Sequence, residues 1–206
     1  TITRIHTSLG EVQLSGVGYL PEGDARAGGA ELTDPALAGE AGLVLAVGAL
    51  ANNARLEFTD GHWSIHGDPT EAAFLVAAHK LAGTVERTAQ FSRQAEVPFT
   101  SERKMMSALV AHRASVGGLL VAKGAPDVLI DCCTNVQVGE DVLPLDPGRR
   151  AVIMADVDEL SGNAFRTLAV AYRPVDADGW PEVLNEADER DLIYVGVVGI
   201  IDPPRP

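Results

Sequence analysis

Met105-Met106-Ser107-Ala108-Leu109-Val110-Ala111 and Gly118-Leu119-Leu120-Val121-Ala122 are short, mostly apolar runs on either side of a polar, glycine-ended stretch. Apolar runs of this length bounded by turn residues read as strands, and residues 112–118 read as the turn of a hairpin between them. Upstream, Val85–Phe91 and Val97–Phe99 add two further strand pieces. Downstream, Lys123 ends the second strand and Pro126 opens a short helix to Cys132. The reading widens from this hairpin to a series of neighbouring strands with helices between groups.

Three helices are marked by an aspartate followed by proline. An Asp side chain can cap the first turn, and Pro fits the first helical position because that N–H has no partner there. Thr33 or Asp34 with Pro35 starts a helix running through Leu45 towards Asn53. Asp68 with Pro69 starts one whose periodicity continues to Gly83. Asp146 with Pro147 starts one ending near Gly162. At the start of the chain, Ile2–His6 and Val12–Leu20 read as strands, with a polar loop from Pro21 to Gly29. Phe58–Ile65 reads as a hairpin around Asp60-Gly61. Arg166–Arg173 and Leu192–Ile201 read as the last strands. The pattern predicts an α+β fold with a mostly antiparallel sheet, in one domain covering 1–206.

The composition narrows the function. The 206 residues carry a formal net charge of −13. That argues against nucleic-acid binding, which needs a basic face. An anionic ligand would have to rely on local cations, of which Arg103, Lys104, Lys123 and Arg166 are the candidates. The longest apolar stretch, Ala41–Ala51, is too short to cross a bilayer, and Thr1–Leu9 shows no signal pattern. Cys132 and Cys133 are adjacent and close no useful loop, which fits a reduced protein rather than a disulfide framework. They also lack further ligands at zinc spacing.

Four segments carry chemistry in combination: Gly67-Asp68-Pro69-Thr70-Glu71-Ala72-Ala73, Phe99-Thr100-Ser101-Glu102-Arg103-Lys104-Met105-Met106-Ser107, Lys123-Gly124-Ala125-Pro126-Asp127 and Phe165-Arg166-Thr167-Leu168-Ala169. Taken singly, each has an ordinary reading. Phe99 would be core. Arg103 and Lys104 would be a solvated pair, Lys123 a strand-end surface charge, and Glu71 an acid complementing a helix dipole. In this order and spacing they resemble the nucleotide-binding domain of P-type cation-transporting ATPases, over nearly the whole chain.

That resemblance implies that ATP is the ligand, accompanied by Mg2+. It implies that Phe99 is the platform on which adenine stacks, an interaction worth roughly 1–3 kcal/mol per base. Glu71 would accept from the adenine amino group. Lys123 would reach the nucleotide as a point charge, and Arg166 its phosphate or sugar. Met106 and Gly124 complete the expected nucleotide-contacting set, Gly124 because a glycine lets backbone approach a ligand. Strand alternation allows only one of Arg103 and Lys104 to share a pocket with Phe99. Separation along the chain favours Arg103; the family pattern favours Lys104. Ser101 stands where relatives often carry a basic residue, and Asp127 where they usually carry Glu.

The family forms a phospho-aspartate at an Asp-Lys-Thr-Gly motif, and these 206 residues contain no such motif. The resemblance places Thr1 just after that nucleophile and Asp202-Pro203-Pro204 at the return to the catalytic domain. Residues 1–6 and 199–206 would then be hinge strands. The expected partners are the phosphorylation and membrane domains of a parent chain, and the expected location is the cytoplasmic side of a cell membrane. The domain alone is expected to be monomeric and inactive. Gly16-Val17-Gly18-Tyr19-Leu20-Pro21-Glu22-Gly23 resembles calcium pumps more than heavy-metal pumps, which makes calcium the leading ion.

Two rival readings stand beside this one. Asp156-Val157-Asp158 after an apolar run suggests a stand-alone phosphatase, although Ile153, Val157 and Leu160 continue at helical spacing. An interaction module without nucleotide binding is the second. His62 and His66 share a face but lack a third metal ligand. No Gly-x-x-x-x-Gly-Lys loop is present.

Overall fold

The computed structural model describes residues 1–16 and 18–201. The predicted hairpin is present: β8 (Met105–His112) and β9 (Gly118–Gly124) pair antiparallel, with Met106 opposite Lys123 and Ala108 opposite Val121. To one side β8 pairs with β7 (Phe91–Val97), and to the other β9 pairs with β12 (Arg166–Val175). Next to β12 runs β13 (Leu192–Ile200), whose nine residues are all buried. Beyond it lies β1 (Ile2–Thr7), then β2 (Gly10–Leu14), β3 (Ala25–Ala27) and β4 (Ala30–Glu31). β10 (Cys133–Val138) and β11 (Asp141–Pro144) form a hairpin, and β10 joins β13 in a parallel pairing. β5 (Arg55–Thr59) and β6 (His62–His66) form a separate two-stranded sheet. The fold is α+β with a mostly antiparallel sheet, as predicted.

The sheet is sandwiched between two helical layers. On one face lie α1 (Pro35–Leu50) and α2 (Pro69–Ala78), packed on Ile5, Val110, Val121, Val170 and Val198. On the other lie α4 (Pro126–Leu129), continued by a 3-10 turn, and α5 (Pro147–Gly162), packed on Leu109, Leu120, Ala171, Tyr194 and Val197. Alternation along each strand sends successive side chains to opposite layers. The three Asp-Pro starts hold: Asp34 accepts from Ala36 and Leu37, Asp68 from Thr70 and Glu71, and Asp146 from Arg149.

The α1–α2 contact depends on one glycine. A Cβ at Gly48 would lie 2.1 Å from the Phe74 ring. A glycine inside a helix costs about 0.5–1 kcal/mol, and here it admits the fully buried Phe74. On the sheet side, the buried Glu40 of α1 accepts from Leu9 N–H at 3.1 Å and Gly139 N–H at 2.5 Å, tying together the β1–β2 and β10–β11 turns.

Five sequence readings are corrected. Residues 84–89 are the helix α3 (Thr84–Ala89) rather than part of a strand over 85–91; the segment docks on α1 after the left-handed Gly83. α2 ends at Ala78, short of Gly83, with His79 as its cap. β2 stops at Leu14 instead of running to Leu20. The expected loop 21–29 contains β3. The β10–β11 hairpin was not anticipated. The expected return segment Asp202-Pro203-Pro204, and Val17 of the 16–23 segment, lie outside the described residues. Thr1 N–H and Ile201 N–H each donate to the other residue's carbonyl, at 2.7 and 2.9 Å, alongside the β1–β13 pairing.

Candidate functional site

Four chain segments meet at one end of the sheet. They are the start of α2, the loop entering β8, the end of β9 and the start of β12. Ala125 N–H donates to the Lys104 carbonyl at 2.9 Å, fixing the β8 entry against the β9 exit. Arg166, exposed at the start of β12, donates to Thr70 Oγ1 at 3.2 Å and ties that strand to the α2 start.

The centre is Lys123. Its ammonium lies 2.9 Å from Glu71 Oε1 and 5.4 Å from the centroid of the Phe74 ring. Lys123 is only 5% exposed. Beyond the ion pair with Glu71, Nζ finds no hydrogen-bond acceptor of good geometry. Burial lowers the lysine pKa, and the Glu71 carboxylate opposes that shift without overcoming it. An ammonium with donor capacity left over, held in low dielectric, is suited to a further acceptor or anion.

Glu71 is positioned by the Asp68 cap at the helix start and by its second oxygen, which accepts from Asn53 N–H at 3.2 Å. Asn52 in turn donates to the Glu71 carbonyl at 2.7 Å. A carboxylate has about four lone-pair positions, so Glu71 keeps accepting capacity. Arg93 supports this arrangement. It donates to the carbonyls of Leu50 and Asn52 and to the Asn53 side chain, pinning the α1–β5 connection to β7. Nothing in the sequence marks Arg93, because all of its partners but Glu96 lie some forty residues away along the chain.

Phe99 stands beyond the end of β7 and is 54% exposed. An aromatic ring this exposed to water is not core. The residues after it form a tight turn: Lys104 N–H donates to the Thr100 carbonyl at 2.8 Å and Arg103 N–H to Thr100 Oγ1 at 3.2 Å. Lys104 has a positive φ of 55° and an exposed side chain. Arg103 turns away to pair with Glu189, so of the two it is Lys104 that stays free to meet a ligand.

Two expected contacts are placed differently. Met106 is 1% exposed and packs beneath the site beside Lys123. Gly124 is required by its neighbour strand: a Cβ there would lie 2.5 Å from Met105 Cβ and 2.6 Å from the Lys104 carbonyl oxygen. A cavity of about 930 Å³ lies elsewhere, between the β3–β4 hairpin, α1 and residues 80–87.

The rival chemistry is not assembled. Asp156 and Asp158 sit two residues apart on α5, a spacing that does not share a helix face. Asp156 faces His6 Nδ1 at 3.6 Å, while Asp158 is exposed. His66 pairs with Glu57 at 3.6 Å. Among the described residues no group of three His, Cys, Asp or Glu side chains could hold a metal. Nor is any helix there long and apolar enough to cross a membrane.

Comparison with known proteins agrees with this geometry. The family model described as P-type ATPase, cytoplasmic domain N, matches residues 42–206. A calcium-transporting ATPase of Bacillus subtilis is 35% identical over 207 aligned residues, covering all of this chain and 23% of that protein. Calcium-transporting ATPase 1 of Lactococcus lactis is 38% identical over 140 residues, 68% of this chain and 16% of that protein. Cation-transporting ATPase pma1 of Synechocystis is 29% identical over 213 residues, all of this chain and 23% of that protein. The chain thus spans less than a quarter of the length of these relatives. It belongs to the family of P-type ATPase cytoplasmic N domains.

Proposed function

We propose that this chain binds Mg-ATP and presents its γ-phosphate to a catalytic aspartate in another domain of a membrane cation pump. The observation that carries the reading is a buried, incompletely satisfied Lys123 ammonium on β9, together with an exposed Phe99 ring on the turn that enters the neighbouring strand β8. The ring offers a face for adenine, and Lys123, Lys104 and Arg166 supply positive charge that the domain as a whole lacks. Glu71 offers an acceptor to the adenine amino group. Mg2+ is held by the phosphates, because the described residues provide no carboxylate cage for it.

Residues 1–6 and 199–206, of which 202–206 lie outside the described residues, act as the hinge through which the domain closes on its partner. The adjacency of β1 and β13 supports this. The relatives named for calcium transport support calcium as the cation of the proposed pump, chosen in membrane segments outside these residues.

A site with one stacking ring and few charged contacts in an anionic domain predicts a dissociation constant on the order of 0.1–10 mM for ATP. Adenine supplies much of the contact, so ADP binds nearly as well. Chemical-shift titration of the 206-residue chain measures both. Micromolar affinity, or a tenfold preference for ATP over ADP, refutes the reading. So does magnesium-dependent ATP turnover by the chain alone that is lost in Asp156→Asn.

A further inference from the structure

On the sheet face opposite Lys123, a second ionic network grips the loop that carries Phe99. Arg103 spans it. Its Nη1 donates to the Pro98 carbonyl at 2.7 Å, on the near side of Phe99. Its Nη2 donates to both oxygens of Glu189, and its Nε lies 3.4 Å from Glu186. Glu189 is buried and also accepts from Ser107 Oγ at 2.6 Å. Arg103 and Ser107 flank the point where the Phe99 turn becomes β8. One carboxylate therefore fixes both the turn and the strand it enters.

The acid is itself held in place. Glu186–Asp188 forms a short 3-10 turn closed by reciprocal bonds: Asn185 Oδ1 accepts from Ala187 N–H, and Asp188 Oδ2 from Asn185 N–H, each at 2.9 Å. Arg173 of β12 donates to the Asp188 carbonyl at 3.0 Å. The turn runs directly into β13. Arg103 thus connects the exposed ring to the central strand of the sheet, while Lys104, next to it, is left free.

We infer that Glu189 is a positioning residue for nucleotide binding: by clamping Arg103, it holds the 98–104 turn in the conformation that presents Phe99 and Lys104 to ATP. The inference rests on the nucleotide reading above. Glu189 touches no ligand and acts only through Arg103 and Ser107. A planar guanidinium whose Nη1, Nη2 and Nε are each held by a different residue resists rotation, and the charged Glu189 carboxylate holds its Nη2 more strongly than a neutral amide would.

The test uses the 206-residue chain and ATP titration by NMR, with 15N relaxation of residues 99–104 in the free protein. Glu189→Gln is expected to raise the ATP dissociation constant at least fivefold and to increase the mobility of the 99–104 amides. Arg103→Lys, which keeps the charge but loses the fork, changes both in the same direction. A role confined to stability would lower the unfolding midpoint but leave folded-state relaxation and affinity unchanged; that result overturns the inference. Phe99→Ala and Lys123→Ala serve as controls. If they weaken ATP binding while Glu189→Gln and Arg103→Lys do not, the inference fails and the nucleotide site stands. If neither control weakens binding, the site reading fails and this inference with it.

Discussion

The two faces of the central sheet each bury an ion pair, and the pairs are built to opposite specifications. On the α1–α2 face, Lys123 meets Glu71 and an aromatic ring, with donor capacity unfilled. On the α4–α5 face, the Arg103 guanidinium meets Pro98, Glu186 and Glu189, and Ser107 fills part of what remains of Glu189. A network with its partners in place rigidifies its surroundings; one left short of partners is costly unless something else completes it. The difference is the one expected between a scaffold and the proposed nucleotide site. An ammonium on a flexible stem can accept a new partner, while a guanidinium locked in a fork cannot leave the one it has.

The contrast breaks most visibly at Glu71. Glu71→Ala strands a buried ammonium, and removing one partner of a buried pair costs about 3–5 kcal/mol. Urea denaturation at neutral pH should show this loss, and the double variant Glu71→Gln/Lys123→Met should recover most of it while failing to bind ATP. A double variant as unstable as the single one would mean that the pair is a scaffold after all.

The next effect comes from beneath the site. Gly48→Ala places a methyl group where the Phe74 ring sits, and overpacking of this kind costs about 1–3 kcal/mol. Because Phe74 lies against Lys123, ATP affinity should fall as well, while amide shifts around Arg103 and Glu189 stay unchanged. Equal disturbance of both faces would argue that the two networks are not independent.

Phe99→Ala should weaken ATP by roughly 1–3 kcal/mol. The ring is more than half exposed, so the unfolding midpoint should barely move. A large drop in stability would return Phe99 to the core.

The smallest effect at neutral pH is a difference in titration. Lys123 has a pKa below the ordinary 10.5 in the folded chain, chiefly through burial. ATP affinity should therefore begin to fall at a lower alkaline pH than an exposed lysine would give. Over the same window the unfolded chain binds more protons than the folded one, so stability from this group rises with pH between the folded value and 10.5. An ATP affinity that is flat across this range would remove Lys123 from the site.

The sequence revealed what is encoded locally. Asp34-Pro35, Asp68-Pro69 and Asp146-Pro147 each fixed a helix start because a side-chain cap and a locked φ act within a few residues. The β8–β9 hairpin was legible from two apolar runs and a turn. Thr84–Ala89 was misread because Thr and Val favour strands, and this short helix gains its stability from docking on α1 rather than from its own residues. β10 was missed because its hold on the sheet is a parallel pairing with β13, a contact no local pattern announces. At the site, Phe99, Lys123 and Arg166 could be read from motif spacing. The closure of Lys123 on Glu71, the support from Arg93 and the clamp on Arg103 could not, since each joins segments far apart in the chain.

The place of β13 has a consequence for how the protein is made. Its edge facing β1 and β10 joins Gly196–Ile200 to β1 and Leu192–Tyr194 to β10, and its other edge joins β12. This strand is the last of the described elements to leave the ribosome, yet it lies between the first hairpin and the β12–β9–β8–β7 group. At roughly 5–20 residues per second, translation of the chain takes about 10–40 s. Until its end, the two halves of the sheet wait as separate pieces with unpaired edges. A nascent chain stalled before Leu192 should therefore be open to proteases and chaperones, and release of ten more residues should close it.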